Sequence, residues 1–230
     1  MVAFCYSSVG HGGASGYLGV LSFFVFNPRE LSTTALLLNI LVSATATFSY
    51  KKAGHFRLHL LYPFLLTSIP FSFLGGTLKI SLKLYSLILA FALIVAAIRL
   101  NWKLRSSSEE PKNPPLWAAL WLGAGIGIVS GMIGIGGGIF LSPVLILANG
   151  STIKEAAAVS APFILINSCA GILGRFFSET LVLGNLTPLM ISAFLGGLLG
   201  SYLGANRFSS SILRVVLGIV LILASFKLLL

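Results

Sequence analysis

Apolar runs along the chain are broken by charge at intervals close to the thickness of a lipid bilayer. Stretches free of Asp, Glu, Lys and Arg cover residues 1–28, 31–50, 58–78, 113–153, 156–174 and 180–206. Each is about 20 residues or longer, enough to cross hydrocarbon as a helix. Residues 80–98 and 208–229 are two further candidates, with Lys83 in one and Arg214 and Lys227 in the other. Long basic side chains near a segment end can snorkel to the headgroups. The pattern predicts an all-α, polytopic transmembrane helical bundle of about eight segments, because helices satisfy their own backbone groups in lipid.

Composition agrees: only 9% of the 230 residues are charged and 57% are hydrophobic, against roughly 25% charged in soluble domains. The formal charge of +10 raises the question of nucleic acid. However, the Lys and Arg sit singly or in small groups at segment ends, and no basic face with interleaved aromatics exists. Positive charge concentrated in cytoplasmic loops accounts for them, with the lipid bilayer as partner and no nucleic acid. Cys5 and Cys169 lie far apart inside apolar segments without metal-ligand spacing, and read as small core residues. The start, lacking a basic n-region, does not read as a cleaved signal peptide.

A polar linker, NWKLRSSSEEPKNPP at 101–115, divides the sequence. It separates a first transmembrane repeat, 1–100, from a second, 116–230, and is expected in the cytoplasm. Each side opens with a glycine cluster. Val9-Gly10-His11-Gly12-Gly13-Ala14 and Ile133-Gly134-Ile135-Gly136-Gly137-Gly138 are offset by 124 residues. An apolar run with a loop at its end follows each cluster, then a helix studded with polar residues, a helix bearing Gly75-Gly76 or Gly196-Gly197, and a very apolar segment. Internal duplication explains the correspondence. Residues 117–147 are too long for one upright span and too short for two. They form either one broken helix, which makes the halves parallel, or a re-entrant hairpin, which makes them inverted. The Lys and Arg distribute nearly alike in both arrangements, so orientation stays open.

Within lipid an interrupted helix is tolerable only where protein or water surrounds it, so each glycine break suggests a cavity. A half-helix starting at such a break offers free N–H groups and a positive dipole end to an anion. Gly136, Gly137 and Gly138, with Gly134 before them, fit this ahead of residues 139–147. Gly10, Gly12 and Gly13 do so ahead of a segment beginning at Ser15. Gly75, Gly76, Gly196, Gly197 and Gly200 instead read as small residues that let helices approach. No Lys-Ser or Lys-Thr follows either cluster, which excludes a nucleotide phosphate loop.

Neutral donors can complete an anion site at less desolvation cost than charges. Ser160, Asn167 and Ser168 share one helical face, and so do Asn39, Ser43 and Thr47. Interhelical hydrogen bonding is the competing account of these side chains. His11, where the second half has Ile135, is the titratable group inside a cluster and could carry a proton; a structural hydrogen bond is the alternative. His55 and His59 read as interfacial. The acidic residues Glu30, Glu109, Glu110, Glu155 and Glu179 fall in expected loops, paired with nothing, so no acid–base pair supports an intramembrane enzyme. No cofactor or metal is implied.

The segment from Ser130 to Leu147, SGMIGIGGGIFLSPVLIL, strongly resembles the glycine motif of the TauE/SafE sulfite-exporter family of membrane transporters. Ser7 to Gly16, SSVGHGGASG, looks like its first-half counterpart, with His11 and Ala14 departing from a plain GxGGG. The resemblance runs over nearly the whole chain and carries over best to Gly134, Gly136, Gly137, Gly138 and Pro143. It implies a secondary transporter that moves a small anion, sulfite or an organosulfonate, across the bacterial cytoplasmic (inner) membrane, mostly outward. The expected site lies between the halves, with alternating access by one half rocking against the other. Uptake of a sulfur compound such as thiosulfate, with Cys169 handling the sulfur, is the alternative within transport. A membrane scaffold whose glycines only pack helices is the alternative outside it. A homodimer is compatible with the sequence, which itself gives no oligomeric state.

Overall fold

The computed structural model describes residues 1–21, 28–78, 87, 114–147, 151–178, 187–209, 211–212 and 215. These hold eight helices: α1 (Val2–Ser7), α2 (Ala14–Leu21), α3 (Pro28–Lys52), α4 (Leu58–Thr77), α5 (Leu116–Ile133), α6 (Gly138–Leu147), α7 (Ile153–Phe177) and α8 (Thr187–Asn206). Five of them, α3, α4, α5, α7 and α8, are long and apolar enough to cross a membrane. Even the 18-residue α5 rises about 27 Å at 1.5 Å per residue, close to the hydrocarbon thickness. The predicted segments 80–98 and 208–229 and the linker fall almost wholly outside the described residues.

Small residues decide how the spans meet. In α5, Gly123, Gly127 and Gly131 recur every fourth residue. They lay the backbone of α5 directly on that of α4 at Phe64, Ser68 and Ser72. Any Cβ there would run into a carbonyl oxygen, so the contact exists only for glycine. The same spacing in α8, Gly196, Gly200 and Gly204, seats it on α1 at Ala3, Phe4 and Ser8. Gly76 of α4 meets Gly171 of α7, beside a hydrogen bond from Ser72 Oγ to the Asn167 carbonyl at 2.8 Å.

These contacts fix relative direction. α4, α5 and α7 run the same way, and α3 and α8 run against them. Near the start of α3, Ser32 meets Arg175 at the end of α7, while Ala46 and Tyr50 near its other end cluster with Ala157, Ala158 and Ala161. α6 opposes α7, since Gly138 abuts Ile164 and Ser142 bonds Ser160, one turn earlier in α7. The chain therefore reverses between α5 and α6. It reverses again between α1 and α2, where Ser15 bonds Tyr6 and Gly16 lies on Val2 and Tyr6.

Polar caps mark the ends that face away from the core. Thr152 and Glu155 form a capping box at the start of α7. Glu155 also accepts from Arg57 at 2.8 Å. The expectation of an unpaired Glu155 in a loop is corrected, because its spacing from Thr152 is that of a helix start. Glu30 likewise lies in the first turn of α3.

Candidate functional site

Both glycine clusters are breaks between helices. α5 ends at Gly134, in the left-handed region with φ 86°, whose N–H donates to the Ser130 carbonyl at 2.8 Å. Gly136 and Gly137 follow with φ 77° and 81°, so a side chain at any of the three is strained before packing is considered. The first hydrogen bonds of α6 run from Phe140 and Leu141 to the Gly137 carbonyl, leaving the amides of Gly138 and Ile139 ahead of the helical ladder. In the first break Gly10 and Gly13 take φ 75° and 96°, and the ladder of α2 begins with Tyr17 donating to Gly13.

The breaks meet at one side chain of α3. Asn39 Nδ2 donates to the Ile135 carbonyl at 3.0 Å, which fixes the amide's orientation and turns Oδ1 toward Gly12. Gly136 packs against the same amide and against Ser168 Oγ of α7. His11 of the first break lies beside the backbone of Gly138 in the second and of Val9 in its own. Asn39, Ser168 and Ser160 are fully buried and His11 is 2% exposed. Among the described residues, Asn39 Oδ1, Ser168 Oγ, Ser130 Oγ and both ring nitrogens of His11 have no well-formed hydrogen bond. Unmatched polar atoms buried together are costly in any protein and more so within a bilayer, which marks a place where a polar guest belongs.

The candidate positions of the two clusters, with Asn39, Ser43, Ser160, Asn167 and Ser168, are buried, and Thr47 is half-buried, but they do not all converge. Gly12, Asn39, Gly136 and Ser168 form the junction, with His11 and Gly138 beside it. Ser160 bonds Ser142 at 2.7 Å just past the start of α6. Gly137 fits between Ile126, Phe163 and Ser130. Ser43 turns back to the Asn39 carbonyl and Thr47 to the Ser43 carbonyl. Asn167 donates to Phe163 of its own helix, leaving Oδ1 unmatched. Gly10 seats on Ala157, Gly13 on Tyr17, Gly134 on Ser32, and Ser15 on Tyr6, so these four shape the breaks from outside the junction.

Ser130, Ser142 and Arg175 escaped the sequence reading, and of these Arg175 is charged. Arg175, 4% exposed, donates to Ser32 Oγ at 2.7 Å and to the Gly131 and Met132 carbonyls at 2.9 and 3.2 Å. A guanidinium on the last carbonyls of α5 complements the negative end of that helix and holds the second break to α3 and α7.

Residues 1–228 match the family described as "Sulfite exporter TauE/SafE". The chain belongs to the TauE/SafE family. A curated relative, the "Probable membrane transporter protein y4hK" of Sinorhizobium fredii, is 38% identical over 233 residues, covering 100% of this chain and 94% of its own. No solved structure matches. This TauE/SafE protein is therefore a multi-pass membrane transporter and not an enzyme. Its motif glycines are the residues that make the second break, and Pro143 lies within α6.

The reading of Cys169 as a core residue is revised by position. Cys169 is exposed on α7, away from the breaks, because it lies on the face opposite the one that packs. Cys5 is half-buried in α1. His59 is exposed, while His55 bonds the Ala205 carbonyl at the end of α8 at 3.3 Å, together with Lys154 at 3.2 Å.

Proposed function

We propose that this protein is a secondary transporter that exports a small sulfur oxyanion, sulfite or an organosulfonate, across the bacterial cytoplasmic membrane, and that the anion is held where the two glycine breaks meet. The observation that carries this reading is the junction at Asn39. The two glycine breaks and a set of unmatched polar side chains meet there, and among the described residues no Asp, Glu, Lys or Arg is turned into the junction, with His11 the titratable group beside it. Dipoles and neutral donors can hold an anion in such a place without a buried cation.

The halves 1–100 and 116–230 are inverted repeats around a cytoplasmic linker, each opening with a helix from which the chain turns back at a glycine break. Support comes from Gly10 and Gly134, and from Gly13 and Gly137, which share positive φ at the 124-residue offset. Further support comes from α3 and α7, the corresponding spans, running in opposite directions, and from the reversal between α5 and α6. Inverted repeats with interrupted helices are a recurrent architecture of transporters, with the site at the repeat interface. Exposure of Cys169 away from the junction disfavours uptake chemistry built on that thiol.

The test is flux into proteoliposomes against sulfite, sulfonates, thiosulfate and carboxylates, with Gly137→Leu as the variant. Sulfite or sulfonate flux that the variant loses, with its elution and unfolding profiles retained, supports the site. A variant that transports normally sinks it. Thermal stabilisation by added sulfite separates transporter from scaffold, since a scaffold gains nothing.

A further inference from the structure

The junction presents acceptors as well as donors. Asn39 Nδ2 gives one hydrogen to the Ile135 carbonyl and lies with Ser168 Oγ against Gly136, while Oδ1, which can only accept, is turned toward Gly12 and has no partner. On the other side stand donors: the leading amides of α6 and the hydroxyl of Ser168, which lies against Gly136. A fully deprotonated oxyanion matches the donors and leaves Oδ1 facing negative charge. An oxyanion that keeps one proton matches both sets.

Charge count points the same way. The free energy needed to remove an ion from water grows with the square of its charge, and uncompensated charges do not stay buried. The titratable or charged groups nearest the junction among the described residues are His11 of the first break, Tyr6 of α1, Tyr17 of α2, Tyr50 of α3 and Arg175 of α7. Tyr6 bonds Ser15, Tyr50 donates to the Ser8 carbonyl, and Arg175 is turned to the end of α5. Among the described residues no side-chain cation is directed at the centre, and helix-end dipoles suit one negative charge better than two.

We infer that the anion occupying this site is a hydrogen-bearing monoanion, hydrogen sulfite rather than the sulfite dianion or a sulfonate, and that Asn39 Oδ1 is the specificity group accepting its proton-bearing oxygen. The inference rests on the junction being the anion site. It also removes the need for a carboxylate relay, since the solute carries its own proton across.

The experiment is initial uptake of sulfite by the full-length protein in proteoliposomes over a pH series that spans the hydrogen sulfite to sulfite equilibrium, with protein-free vesicles subtracted. Sulfate, a dianion throughout, and methanesulfonate, a monoanion with no proton to give, are run alongside. Sulfite uptake should follow the hydrogen sulfite fraction, sulfate should not be carried, and methanesulfonate should be carried at least tenfold less well. Asn39→Leu should lower sulfite uptake by about tenfold or more, the size of one hydrogen bond to a charged group, and should bring sulfite and methanesulfonate closer together. Methanesulfonate also reads out any titrating protein group, His11 included, because the solute itself does not titrate. Uptake that rises with the dianion fraction, comparable sulfate transport, or methanesulfonate handled as well as hydrogen sulfite each overturns the inference. If the native protein treats all three anions alike while Gly137→Leu loses them all, the inference fails and the site stands. Normal uptake by Gly137→Leu removes the site as well.

Discussion

The two glycine breaks do the same geometric task with different chemistry. The second is held from outside by a charge: Arg175 grips the last carbonyls of α5 and the hydroxyl of Ser32. The first is held by neutral groups. Tyr50 donates to the Ser8 carbonyl at 2.6 Å, and Tyr6 bonds Ser15 at 2.8 Å. At matching positions one carries His11 and the other Ile135, both buried. The same glycine-built bend can thus be held by different supports and carry different chemistry.

The comparison is most exposed to attack at the charged support. Arg175→Leu should cost about 2–3 kcal/mol, because carbonyls and hydroxyls lose a buried charged donor; thermal unfolding in detergent measures it, and near-native stability would mean the guanidinium is not what holds the second break. Replacing His11 by Ile, as in the second break, tests chemistry against support. Stability should hold or rise by about 1–3 kcal/mol, since unmatched polar atoms are removed from a buried place, while anion flux falls. Loss of stability with unchanged flux would assign His11 to the scaffold. Tyr50→Phe should cost about 1 kcal/mol, the net worth of a neutral hydrogen bond, and a cost equal to that of Arg175→Leu would erase the contrast. Smallest of all, Arg57→Gln removes an ion pair whose arginine is 54% exposed. An effect of about 0–1 kcal/mol that shrinks with added salt is expected.

Much of this was legible before any coordinates. Charge spacing gave the five spans among the described residues, although the first apolar stretch holds the short α1 and α2 where one span was expected. Glycine clustering gave the breaks, and both signals follow from local rules of helix length and backbone freedom. Direction was not legible, since parallel and inverted halves distribute Lys and Arg almost equally. Arg175 was hidden for a related reason: a cation ending an apolar run reads as a headgroup anchor, and only packing brings α5's final carbonyls to it. Asn167 misled in the other direction. It shares a helical face with Ser160 and Ser168, yet its amide nitrogen is spent on Phe163 of its own helix. Ser130 and Ser142 gave no periodic signal, although the structure sets one beside Gly137 and the other on Ser160.

Among the described residues, the glycine seam between α4 and α5 joins the two sequence halves backbone to backbone. With backbones in contact over two helical turns, neither helix can slide or tilt without the other, so the pair behaves as a single strut. α1 and α8, clasped through Gly196, Gly200 and Gly204, make a second strut that again draws one member from each side of the linker. A hinge that opened the centre would therefore pass between these composite units and not along the linker.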